Sequence, residues 1–212
     1  MHRRHLLLAF PVCFTAHAQN LDLPQASPAD AVNVYIIPTD GVSVDAVGEI
    51  ARALSKATGL WIKATMWAPS DGIEPFAGTN QYPAEDYFPL GARVGRMLRE
   101  VSPRTYYIVL TDHDINSKSR NFRFQYSSHS PMANTSVLSI ARLLYTNNGT
   151  PASNEVVGAR VAKMLLRIVG EMRMGWKRSS DPADLMYAPI MSIDDVDRMD
   201  LAYSLHTHQP AR

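Results

Sequence analysis

Cysteine is almost missing from this chain: Cys13 is the only one among 212 residues, and it falls in a segment that reads as a removable leader. His2, Arg3, Arg4 and His5 form a basic start, residues 6–16 an apolar run, and Ala16-His17-Ala18 a small-residue triplet of the kind a signal peptidase cuts. Residues 1–18 are therefore expected to be a signal peptide, and the mature protein to be secreted or periplasmic. Without Cys13 the mature chain has no thiol, which excludes disulfides, thiolate metal ligands and a cysteine nucleophile.

Beyond residue 18 no apolar stretch approaches the roughly 18 residues of a spanning helix, so no membrane span is expected. An excess of one charge sign is absent too. Arg3 and Arg4 are the only charged residues of the leader, so 19 of the 21 basic residues and all 20 acidic ones remain, a net charge of −1. That balance gives no electrostatic reason for a nucleic-acid partner. Histidine is scarce, with His113, His129, His206 and His208 alone following Ala18. No G-x-S-x-G elbow, P-loop or G-x-G-x-x-G occurs, and Ser128-His129-Ser130 lacks the elbow and oxyanion motif of a serine hydrolase. There is no internal repeat.

What is present is an ordinary globular composition, 46% hydrophobic and 19% charged, in a length that fits one domain. Residues 19–32 are rich in Pro, Ala and Ser and read as a flexible lead-in. Residues 33–37 (NVYII) read as a buried strand, 44–58 as a helix capped by Ser43 and closed by Gly59, and 60–67 as a second strand. Together they predict a β-α-β crossover with parallel strands. Residues 68–89, with their prolines and glycines, read as a long irregular loop. A helix over 90–101 follows, with Arg93, Arg96 and Arg99 on its solvated side. Strands are expected at 105–111, at 120–126 from the alternation of aromatics, and at 135–140.

A central helix opens at Glu155 and carries Val157, Val161, Met164, Leu165, Ile168 and Met172 as one apolar stripe. It is expected to turn at Gly175-Trp176. Residues 194–201 read as a terminal helix capped by Ser192, and 205–212 as a frayed tail.

Two groups have the residue types for chemistry. Asp112-His113-Asp114 leaves the end of the most strand-like run. Alternation would set the two carboxylates on one side and the imidazole on the other, for metal binding or proton relay. The spacing His206-x-His208 suits a transition metal, with no third ligand nearby in sequence.

Four short segments, in order, resemble the archaemetzincin branch of the metzincin zinc peptidases. They are Thr111-Asp112-His113-Asp114, then Asn121-Phe122-Arg123-Phe124, then Ser139-Ile140-Ala141-Arg142-Leu143, and Met186 at the place of a Met-turn methionine. The resemblance implies one zincin-like α/β (α+β) domain over 33–204. Its mixed twisted sheet would pack on an N-terminal crossover helix and a central active-site-type helix, followed by a Met-turn and a C-terminal helix. It also implies a cleft bordered by Asp112, Asp114, Asn121, Phe122 and Arg142.

Such enzymes hold zinc with His-Glu-x-x-His-x-x-Gly-x-x-His, the glutamate acting as general base. Setting Gly170 on the glycine inside the helical part puts Arg167 and Glu171 on the first two histidines, Ile168 on the glutamate and Lys177 on the third histidine. Setting Gly175 on the later glycine puts Ile168 and Met172 on the ligands and Val169 on the base. Neither frame supplies an imidazole, and arginine and lysine are protonated at neutral pH and donate no lone pair. Arg167 and Lys177 are expected to replace the missing cation and to pair with Glu171.

The expected activity is that of a pseudo-metallopeptidase with no cofactor, whose cleft binds peptide or protein. A second reading is a zinc peptidase with an unusual set drawn from Glu171, His113, His129, His206 and His208. A third is a non-enzymatic envelope protein with a binding or structural role.

Overall fold

The computed structural model describes residues 31–119 and 122–208. The expected signal peptide, most of the expected lead-in, Arg120, Asn121 and the last four residues lie outside that range. The chain forms two compact units that divide after Ile140.

The first unit is built on a five-stranded sheet. Strands β1 (Val34–Pro38), β2 (Ile62–Ala64), β4 (Tyr106–Thr111), β6 (Ser127–Ser130) and β7 (Thr135–Ser139) lie in the order β2-β1-β4-β7-β6. All neighbours are parallel except the edge pair β6 and β7. Strands β1, β4 and β7 are buried at every position, as central strands covered on both faces must be.

Helix α1 (Val44–Thr58) links β1 to β2 and buries Ala46, Val47, Ile50, Ala51 and Leu54. Its ends are those expected: Ser43 accepts the Ala46 N–H, and Gly59, at φ 70°, closes it in the left-handed region. Tyr35 and Ile37 of β1 pack on one face of the sheet with Ala68, Val94 and Tyr107.

The segment 68–89 is more ordered than its composition suggests. It contains β3 (Gln81–Pro83), which pairs in parallel with β5 (Asp114–Asn116), and a 3-10 turn at Ala84–Tyr87 leading straight into α2 (Phe88–Gly95). Tyr87, Ala84, Leu90, Val109, Ile115 and Val137 form a second core cluster. Helix α2 ends at Gly95, short of the expected Val101. Residues 122–126 form no strand, only a bridge from Gln125 to Ile115, and the antiparallel edge strand is β6 instead.

The second unit carries α3 (Asn154–Arg173), α4 (Ile193–Arg198) and α5 (Leu201–Thr207). Ser153 caps α3, and the expected stripe from Val157 to Ile168 is buried. Arg160 is buried at 3% exposure among these apolar residues. Its guanidinium donates to both carboxylate oxygens of Asp197, at 2.7 and 2.6 Å, and to the Leu143 and Tyr145 carbonyls. The expected terminal helix forms as α4 with Ser192 at its N-cap but stops at Arg198, and a further helix, α5, follows, capped by Asp200, which accepts the Tyr203 N–H. The tail to His208 is helical and docked rather than frayed. Among the described residues no helix is long and apolar enough to cross a membrane.

Candidate functional site

The end of α3 is where the scaffold turns. Met174 closes the helix, Gly175 sits at φ 72°, and the Trp176 N–H donates back to the Gly170 carbonyl at 2.9 Å. Gly170 stays inside the helix. A Cβ there would stand 2.2 Å from Cε3 of Trp176, so the missing side chain makes the seat of the indole. Of the two glycines, Gly175 is the one that reverses the chain.

Beyond it the chain returns through Ser179, whose N–H donates to the Met186 carbonyl at 3.0 Å. Asp184 then organises a tight turn, its Oδ1 accepting the Met186 N–H at 2.8 Å and its carbonyl the Tyr187 N–H at 2.9 Å. Met186 is fully buried.

Arg167 differs from expectation. Its guanidinium donates to the Leu185 carbonyl in that turn, while Glu171 accepts from Arg178 at 2.8 Å. The expected Arg167–Glu171 pair, in the weaker i,i+4 order, gives way to partners supplied by the following loop. Lys177 is exposed and takes no place in the network. Burial first, then the nearby Arg178, pulls the Arg167 guanidinium down to about 10, so it stays cationic at neutral pH. Ile168 is fully buried, and one oxygen of Glu171, Oε2, is buried without a hydrogen-bond partner.

The helix α5 clamps this turn. Ser204, fully buried, accepts the Leu185 N–H at 2.7 Å, and the Asp200 N–H donates to the Ala183 carbonyl at 2.8 Å. His208 Nε2 lies 2.9 and 3.0 Å from the two oxygens of Asp184, and its ring stacks on Trp176 with centroids 4.6 Å apart. His208 is thus a structural partner, while His206, two residues away, is exposed.

In the first unit the Asp112-His113-Asp114 run bends rather than continuing as a strand. Asp112 is exposed and lies against Gly41, whose added Cβ would fall 1.9 Å from Oδ2 of Asp112. Asp114 instead accepts from Gln81 of β3 at 3.2 Å, so the two carboxylates part company. His113 is held between two tyrosines. Its Nδ1 is 2.5 Å from the buried Tyr87 hydroxyl, and its ring stacks on Tyr82 at 3.9 Å.

His129, on β6, is tied to Ser136 at 2.7 Å. Phe122 is exposed, Arg142 is half-buried, and Asn121 lies outside the described residues. Among the described residues no three His, Cys, Asp or Glu side chains stand together as a metal-holding group. The sequence reading missed the Tyr87–His113 contact and the Asp184–His208 pair, both joined across more than 20 residues. It also passed over Arg160, an arginine among the apolar residues of α3, which is a legible sign of buried polar partners.

A scan of protein-family models and a search of curated proteins returned no match. Solved structures do match. A zinc-dependent peptidase from Methanocorpusculum labreanum is 16% identical, with 82% of this chain and 98% of that chain covered and a TM-score of 0.65. Archaemetzincin from Archaeoglobus fulgidus, solved with malonate, is 25% identical over 78% of this chain and 91% of that one, with a TM-score of 0.53. Archaemetzincin from Methanopyrus kandleri is 19% identical over 86% and 96%, with a TM-score of 0.58. These likenesses establish a mixed α/β, archaemetzincin-like fold, that of a zinc metallopeptidase.

Proposed function

From this archaemetzincin-like fold we propose that the protein is a secreted pseudo-metallopeptidase, cut free of its leader near Ala18, that binds peptide or protein and does not hydrolyse it. One observation carries the reading. At the end of α3, where zinc ligands are required, Glu171 is the one side chain of a ligand type, and its neighbours at the other ligand positions do not have the chemistry to hold the ion.

The left-handed turn at Gly175 favours the frame that puts Ile168 and Met172 on the ligand positions and Val169 on the base. That frame offers two hydrocarbons and a thioether. The other frame offers Arg167, which remains a cation and is bonded to the Leu185 carbonyl, together with Glu171, Ile168 and the exposed Lys177. A protonated guanidinium repels a divalent ion and has no free lone pair. In either frame the residues do not fit zinc, and no catalytic step is drawn through the metal. The Met186 turn is read as a retained Met-turn that now serves the scaffold.

The test is metal analysis of the leaderless protein after equilibration with zinc, together with an assay on a quenched fluorescent protein substrate. The expected result is substoichiometric zinc and no turnover above buffer. One zinc per chain, removed by chelator with loss of hydrolysis, would overturn the proposal.

A further inference from the structure

In the first unit the amino ends of β4 and β7 are bordered by two short segments, residues 96–104 and the 3-10 turn at Pro131–Ala133. Both are held firmly. Gly91 and Gly95 let α2 lie directly on the strand starts: a Cβ at Gly91 would stand 2.2 Å from Oγ1 of Thr135, and one at Gly95 2.3 Å from the Tyr107 hydroxyl. The turn packs against α2, and the Asn134 side chain that follows it donates to the Pro103 carbonyl at 3.0 Å. Leu98 and Val101 pack inward on the cluster of Tyr35, Val94 and Tyr107, which leaves Arg96, Met97 and Arg99 outside.

The outer side of this end has unbalanced charge. Arg96, Arg99 and Arg104 are exposed, and among the described residues none of the three forms a salt bridge. The one carboxylate within residues 96–104, Glu100, is already held by Lys63 at 2.5 Å. The same end also carries protruding apolar groups. Met97 is 72% exposed, and Met132, on the tip of the turn, is 99% exposed, the highest value of any large hydrophobic side chain described. A methionine so placed touches almost nothing of its own protein, so it gains by burial only in a partner that closes round it.

Charge and shape together select that partner. A second copy of the chain would bring the same unpaired arginines face to face, and like charges repel. A small anion needs donors that converge in a recess, whereas these arginines are spread along an exposed run. An acidic protein surface matches the charge but must be shaped to receive Met97 and Met132. An anionic bilayer matches both without being shaped: its phosphates take the guanidinium groups, and its head-group boundary admits the flexible apolar side chains between them.

We propose that this end of the first unit docks on an anionic phospholipid surface, with Arg96, Arg99 and Arg104 on head-group phosphates and Met97 and Met132 sunk at the acyl boundary. The contact is peripheral, since among the described residues no helix is long and apolar enough to cross a membrane. It rests on the first unit alone and is independent of the pseudo-peptidase reading.

Co-sedimentation of the leaderless whole chain with phosphatidylcholine vesicles, with and without added phosphatidylglycerol, tests this. Saturable binding is expected to the phosphatidylglycerol vesicles at low salt and none to phosphatidylcholine alone, and the binding should fade as salt rises. Arg96→Gln, Arg99→Gln and Arg104→Gln should each weaken it about fivefold. Met132→Ser should weaken it by about as much with Tm unchanged, because that side chain is already in water in the free protein. Met132→Trp should tighten it, since an indole favours the membrane interface. Soluble poly-glutamate serves as the probe for an acidic protein. The inference is overturned if phosphatidylglycerol vesicles bring down no more protein than phosphatidylcholine, or if the arginine variants bind as the native chain does. Unchanged binding of Met132→Ser overturns it too, because charge attraction alone would then account for the contact. Poly-glutamate binding that needs the arginines, with no binding to vesicles, assigns this face to an acidic protein and overturns the lipid reading.

Discussion

Gly170 and Trp176 show what one missing side chain fixes. In an exposed helix interior, alanine is favoured over glycine by about 1 kcal/mol. At position 170 the added methyl would meet the indole at 2.2 Å, and the indole is itself pinned by His208. Overpacking of this kind costs about 1–3 kcal/mol, so Gly170→Ala is expected to lower stability rather than raise it. Chemical denaturation of Gly170→Ala in native and Trp176→Leu backgrounds checks this, because the smaller side chain should relieve most of the loss. Arg167 makes a complementary case. Arg167→Ala leaves a gap and an unpaired carbonyl and should cost about 2–4 kcal/mol. Arg167→Met fills the space without burying a charge and should come close to the native midpoint. Equal losses in the two variants would show that the charge itself is needed.

At the scale of elements, legibility followed pattern strength. Strands β1, β4 and β7 and helices α1 and α3 declare themselves through continuous apolar runs or a 3.6-residue stripe, and α1 even through its caps. Strand β6, with sequence SSHS, has no hydrophobic signal; its pairing with β7 makes it a strand. The aromatics at 122–126 alternate as a strand would but find only a single bridge. The tail, expected to be frayed, was misjudged for a related reason, since the order of α5 comes from partners distant in sequence. Ser204 supplies the acceptor for the Leu185 N–H, and Ser204→Ala strands that buried donor. A loss of about 1–3 kcal/mol is expected, with faster amide exchange at Leu185 and Met186 as the local readout. Unchanged exchange there would mean that α5 does not hold the turn.

For the whole molecule, a formal net charge of +1 is too small for general repulsion to set the pH dependence, so particular groups must do it. On the acid side, Asp40 is lowered by the Ser70 hydroxyl, Asp181 by the Tyr203 hydroxyl and Glu100 by Lys63. A carboxyl with a lower pKa in the native state binds fewer protons than its unfolded counterpart near pH 4, so its contribution is present above that value and is lost as pH falls through the native pKa. On the alkaline side, burial and then Glu100 push the Tyr35 phenol up to about 12, and burial raises Tyr87 and Tyr107. The unfolded chain releases those protons near pH 10, so native stability is full below that point and falls as pH rises towards 12. The midpoint of thermal unfolding should therefore be level from about pH 5 to 9 and decline on both sides. Tyr35→Phe should flatten part of the alkaline decline, because the ring remains and the ionisable hydroxyl goes, and should weaken the acid limb only slightly, because Glu100 loses the minor donor and keeps Lys63. An alkaline limb identical in that variant would place the responsible proton elsewhere, with Tyr87 and Tyr107 the next to replace.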